Sequence, residues 1–172
     1  PGLEETYAAA GVGHFMVDGP TLLHVGRSTA DAWTIGDTDV VAFGRDLDVT
    51  YRVWSPRKGY PGGAWYRDFH TFDHEWGFRP ARVTGHHIAP QDKAPYDPVA
   101  ARARVEHDAH DFVNVVRDRL ISLRESQRGA EPPHVVAAFD TELYGHWWHE
   151  GPAWLERVLD LLPRAGVEIV TL

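Results

Sequence analysis

The sequence predicts an α/β fold built mostly on parallel strands, and three observations point to it. Short apolar runs with β-branched residues, Val135-Val-Ala-Ala-Phe139 and Asp39-Val-Val-Ala-Phe43, read as buried strands. Helical patterns long enough for crossovers separate the strand patterns, and strand–helix–strand order of that kind implies parallel pairing. Both runs end on charged residues, Gly44-Arg45-Asp46 and Asp140-Thr-Glu142. Ligand and catalytic groups in such folds gather beyond the carboxyl ends of the strands.

Taken in order, Leu3-Glu-Glu-Thr-Tyr-Ala-Ala-Ala-Gly11 reads as a helix closed by glycine. His14-Phe-Met-Val17 follows as a short strand, and Asp18-Gly-Pro20 turns out of it. Residues 21–39 are mixed and rich in Gly, Thr and Asp, so they read as loop with at most short structure. The next strand is Asp39–Phe43. Residues 49–80 are dense in aromatics and are broken by Gly59-Tyr-Pro-Gly-Gly63, a turn or mobile loop. Phe69 and Phe72 fit one face of a short helix around 64–72, which leaves loop-borne Trp54 and Tyr60 as better candidates for ligand contact.

Asp97-Pro98 marks a helix start, with Asp97 as N-cap and Pro98 in the first helical position. Val105, Ala109, Phe112, Val116, Leu120 and Leu123 then form a single apolar stripe on a helix running to about residue 127, before Gly129. His107 and His110 share a face of that helix but have no third ligand at metal-binding spacing, so they read as solvent-exposed. Pro152 opens the last helix, with Trp154, Leu155, Val158, Leu159 and Leu162 inward. Gly166 ends it, and Val167–Leu172 is read as the next strand.

At 172 residues the chain is long enough for one domain with a real core. Its 43% hydrophobic content is ordinary for a globular domain. No run approaches the roughly 20 apolar residues of a membrane span, and no signal-peptide pattern is visible. Zero cysteines exclude disulfides and thiolate metal sites and fit a reducing cytoplasm. The net charge of -8 argues against a nucleic-acid or anionic-membrane surface. No cofactor is called for. A chain that opens in a helix and closes on a strand pattern is read as a segment of something longer.

The richest stretch runs from Phe139 to Pro152: two carboxylates, then a loop holding His146, Trp147, Trp148 and His149, then a helix start. That composition suits a sugar. Glycoside chemistry needs carboxylates beside an oxocarbenium-like centre. Flat indoles cover the apolar face of a pyranose, and polar side chains take its hydroxyls. The structural reading stands beside it, since an acid after a strand also caps helices and paired Trp also pack cores. Arg45 and Asp46 are site candidates by position, against the alternative of a structural ion pair.

Phe139-Asp140-Thr-Glu142-Leu-Tyr-Gly-His146-Trp147-Trp148 resembles glycoside hydrolase family 57, and within it the 1,4-α-glucan branching enzymes. Further stretches agree in order: Phe15-Met-Val-Asp18, Val41-Ala-Phe-Gly-Arg45-Asp46, Tyr51-Arg-Val-Trp54-Ser55, Gly59-Tyr60-Pro-Gly62, Trp65-Tyr-Arg-Asp-Phe69 and Pro95-Tyr-Asp-Pro98. The resemblance covers nearly the whole chain. It implies an incomplete seven-stranded relative of the β/α barrel with inserted helices, of which residues 1–172 would be the second half. The nucleophile-bearing half would lie before Pro1 and a helical domain beyond Leu172.

The resemblance further implies that Asp140 is the general acid/base and that Glu142 and Trp147 line the donor site. His146, Trp148, Trp54 and Tyr60 join the substrate-binding candidates, with no metal. The expected partner is an α-1,4-glucan such as amylose or a glycogen-like polysaccharide, and the reaction is retaining transfer of a glucan segment to a 6-hydroxyl. Asp140 is then expected to hold a proton near neutral pH through burial against Trp147 and a neighbouring carboxylate. The alternatives are hydrolysis or 4-α-glucanotransfer within the same family, a non-catalytic glucan-binding fragment, and a metal-dependent hydrolase using Asp140, His146 and His149.

Overall fold

The computed structural model describes residues 2–55, 58–126 and 132–171. Pro1, Gln127, Gly129 and Leu172, on which parts of the sequence reading fall, lie outside them. The chain divides into two compact units. One comprises Pro1–Val49, Asp118–Ala138 and Val170–Leu172; the other comprises Thr50–Arg117 and Phe139–Ile169.

The first unit opens with α1 (Leu3–Ala9), which buries none of its residues. It stops where Gly11 takes a φ of +75° and the Val12 N–H returns to the Tyr7 carbonyl, satisfying carbonyls of the last turn. Next come β1 (His14–Val17), α2 (Gly19–His24) capped by the Asp18 carboxylate, β2 (Trp33–Thr34) and β3 (Val41–Gly44). Strand order is β1-β3-β2, with β1 parallel and β2 antiparallel to β3. The sheet is therefore small and mixed. β2 arises because the turn around Gly36 (φ +59°) folds Ile35 back so that its N–H bonds the Val40 carbonyl. The loop reading of 21–39 had no local signal for that return.

Val135–Phe139 does not form a full strand. It makes one parallel bridge, Arg45 to Val136, and the Asp46 N–H donates to the Val136 carbonyl. Residues 167–171 are likewise not paired as a strand among the described residues. Apolar β-branched runs supply strand propensity, but a strand also needs a hydrogen-bonded neighbour along its length.

α3 (Leu47–Trp54) begins in the first unit and α4 (Pro98–Ser126) ends in it. In the second unit, α4 starts on Asp97, whose Oδ1 accepts from Val99 and Ala100 N–H. It buries Ala101, Val105, Ala109, Phe112, Val113 and Val116. α5 (Gly151–Arg164) buries Trp154, Val158, Leu161 and Leu162, while Leu159 turns outward at 46% exposure. Each fully buried side chain of that size contributes roughly 1.5–3 kcal/mol of transfer free energy.

The short helix expected around 64–72 is absent. Backbone there is extended instead, because Asp68 N–H bonds the Ala81 carbonyl and Val83 N–H bonds the Tyr66 carbonyl. Arg82 N–H in turn reaches the Ala94 carbonyl. Three short segments, near 67, 82 and 95, thus pair edge to edge.

Candidate active site

The site is built in the second unit on the turn that follows Asp140. Thr141–Leu143 forms one 3₁₀ turn, closed by the Leu143 N–H on the Asp140 carbonyl. Gly145 takes a φ of +87°, a conformation costly for other residues, which lets its N–H bond the Trp148 carbonyl at 2.8 Å. Trp148 N–H then donates to the Leu143 carbonyl at 2.8 Å. Leu143 and Trp148 point inward, 2% and 1% exposed, and Trp148 packs on Tyr66 and Trp154. Glu142, His146 and Trp147 are left facing out.

Glu142 and Trp147 line a groove of about 610 Å³. Trp54, at the end of α3, forms another part of its lining, together with Phe69, His70 and His86. Trp54 and Trp147 are 38% and 44% exposed, so each presents an indole surface to solvent. Phe69 lies against Trp147 with ring centroids 4.3 Å apart. Carboxylate, indoles and imidazoles in one groove match what a pyranose chain needs: apolar faces flanked by hydroxyl partners.

A buried ion pair braces that wall. Lys93 Nζ lies 2.6 Å from Asp68 Oδ1, and the other Asp68 oxygen accepts from Thr71 N–H. Burial alone would raise the Asp68 pKa, but the hydrogen bonds from Lys93 and Thr71 outweigh it and hold the carboxyl below its ordinary value. Sequence reasoning missed Asp68, Lys93 and Phe69. Twenty-four residues separate the ion-pair partners, so no local pattern could join them.

The other candidates fall as follows. Asp140 is exposed, and its carboxylate makes no hydrogen bond or ion pair among the described residues. It precedes the groove-lining Glu142 by two positions and is not itself among the lining residues. The burial against Trp147 expected for it is therefore not present here. Tyr60 is an inward anchor, not a groove wall. It is 7% exposed, its hydroxyl donates to Asp111 Oδ2 at 2.6 Å, and its ring packs on Trp154. Burial first, then the Asp111 carboxylate, push its pKa up. Trp148 is likewise core.

His146 is exposed and sets its ring edge against Phe69 and Trp147. Arg45 and Asp46 belong to the first unit and are taken up by structural contacts. Arg45 pairs with Asp18 at 3.0 Å. Asp46 has no exposed surface: Oδ1 caps α3 through Asp48 and Val49 N–H, and Oδ2 accepts from Arg119 Nε at 2.8 Å. Neither oxygen is left for a ligand. Among the described residues no three His, Asp or Glu side chains are grouped as metal ligands would be.

No family model matches the chain. It is 62% identical over all 172 residues to a Mycobacterium tuberculosis protein named a probable 1,4-alpha-glucan branching enzyme, of which it spans 32%. It superposes with a TM-score of 0.91 on the crystal structure of a GH57 branching enzyme from Thermococcus kodakaraensis, at 34% identity. That match covers 99% of this chain and 33% of the archaeal one. The chain belongs to glycoside hydrolase family 57. A second family 57 structure, the branching enzyme of Pyrococcus horikoshii, matches with a TM-score of 0.91 and 36% identity, over 99% of this chain and 31% of that one. This family 57 chain thus spans about a third of the length of the relatives it matches.

Proposed function

We infer that this chain forms part of the catalytic domain of a 1,4-α-glucan branching enzyme. The observation that carries the reading is the Asp140–Trp148 turn, which sets Glu142 and Trp147 into an aromatic groove within a chain 62% identical throughout to a protein of that name. The whole domain is proposed to be the family's incomplete seven-stranded barrel, acting in the cytoplasm on amylose or a glycogen-like chain. Asp140 is assigned as general acid/base. The nucleophilic carboxylate is assigned to a segment outside these 172 residues.

Retaining transfer then proceeds in two displacements. The nucleophile attacks the anomeric carbon while Asp140 protonates the departing glycosidic oxygen. Asp140 next takes a proton from the 6-hydroxyl of a second chain as that oxygen attacks the glycosyl-enzyme. Such a mechanism needs the two carboxyl groups about 5–5.5 Å apart. Solvent-exposed here, Asp140 would acquire its low-polarity surroundings when the glucan and the nucleophile-bearing segment close over it. Indoles at Trp54 and Trp147 hold the sugar and limit water, which favours transfer over hydrolysis.

Asp140→Asn in the intact protein tests the assignment, since the amide cannot donate or accept the proton. Turnover on amylose should fall at least about a thousandfold, in keeping with loss of an essential acid/base group. Near-wild-type turnover would remove Asp140 from the chemistry.

A further inference from the structure

Branching requires two glucan chains at once, one cut and one receiving, and a further groove adjoins the larger one in the second unit. It is smaller, about 230 Å³, and shares Arg67, Asp68, Phe69 and Trp147 with the larger one. One wall of this smaller groove is a tight hairpin. Asp73 bridges Phe78, Asp73 Oδ1 accepts from Glu75 and Trp76 N–H, and Gly77 takes a φ of +71° to close the turn. The hairpin holds Phe72 and Phe78 at 39% and 50% exposure without support from a larger sheet.

Arg79 completes the wall. Its guanidinium sits 4.5 Å over the Phe69 ring and 5.3 Å over Phe72, and Nε donates to the Phe69 carbonyl. Among the described residues only that one of its five N–H donors has a partner. Flat rings beside free in-plane donors suit a pyranose, whose faces are apolar and whose rim is hydroxyl. His146 and His149 add exposed imidazoles.

Charge separates the roles of the two grooves. Glu142 lines only the larger one. Among the described residues the one carboxylate lining the smaller groove is Asp68, which is already paired with Lys93. A site with Arg79 and no uncompensated carboxylate gives no stabilisation to an oxocarbenium-like centre, so it suits a chain that stays intact.

We propose that the groove bounded by Trp147, Phe78 and Arg79 is a second glucan-binding site, which holds the acceptor chain while the larger groove holds the donor. It rests on the α-glucan reading above. The two grooves adjoin at Phe69 and Trp147, so an acceptor chain held in the smaller one can carry its 6-hydroxyl to the glycosyl-enzyme in the larger one.

Phe78→Ala and His149→Ala in the intact protein test this, with amylose as donor and maltoheptaose as added acceptor. Both side chains are exposed, and His149 makes only a ring contact with Tyr96, so at least one variant keeps its fold. The expected result is a rise in the maltoheptaose KM of roughly tenfold in Phe78→Ala, equivalent to about 1.4 kcal/mol. The share of cleavages ending in water should rise with it, at nearly unchanged donor KM. Unchanged acceptor KM and unchanged partition in both variants, with wild type branching normally, would overturn the acceptor groove alone. A wild-type protein that makes no α-1,6 linkages would overturn the functional reading and this site with it.

Discussion

At the scale of single residues, direction decides role more than identity does. Trp147 and Trp148 are adjacent, yet one is 44% exposed in the groove and the other 1% exposed in the core. Tyr60 and Trp54 show the same division. A sequence reading can find a turn rich in indoles, but which side of the turn faces solvent depends on Gly145 and the Leu143–Trp148 hydrogen bond. Asp68 is the residue whose contribution is most open to measurement. Removing its charge leaves the Lys93 ammonium buried and unpaired, so Asp68→Asn should cost about 3–5 kcal/mol. The sign with pH follows from its lowered folded-state pKa. Its stabilisation is fully present above the unfolded value of about 3.9 and is lost as pH falls through the lower folded value. Urea midpoints between pH 6 and 3 should therefore fall more steeply for wild type than for Asp68→Asn. Parallel curves would show that the pair contributes nothing.

At the scale of elements, local pattern was enough for α1, α4 and α5, and for β1 and β3, whose apolar runs announce both strands although they pair with each other across the chain. Asp97, Pro98 and the spacing from Val105 to Leu123 announce α4 without any partner. Two features that depend on a distant neighbour and carry no apolar run of their own were not legible. The segment 64–72 is extended because 81–83 pairs with it, and β2 exists because β3 returns beside it. Val135–Phe139 has the composition of a strand but only Arg45 to bridge to. Asp46 is an element-scale residue too, read as a site candidate and found as the cap of α3. Asp46→Ala removes the acceptor for Asp48 and Val49 N–H, whereas Asp46→Asn keeps an oxygen there. The alanine variant should be less stable than the asparagine variant by about 1 kcal/mol, the ordinary value of an N-cap. Thermal unfolding of the two variants side by side measures this, and equal midpoints would deny the capping role.

Across the whole molecule, the sequence motifs and the relatives agree on the family, and the aromatic groove supports the α-glucan reading proposed above. The Asp140–Trp148 block carried the family resemblance, and the chain does belong to family 57. The groove itself could not have been read from the sequence, because Trp54, Phe69, His86 and Trp147 meet only through the fold. Branching, hydrolysis and 4-α-glucanotransfer would use the same carboxylates and the same indoles; they differ in what intercepts the glycosyl-enzyme. The direct measurement is therefore proton NMR of the linkages formed when the intact protein acts on amylose. The α-1,6 anomeric signal should grow at the expense of α-1,4, with few new reducing ends. Linear products alone, whether shortened or redistributed, would contradict the branching reading.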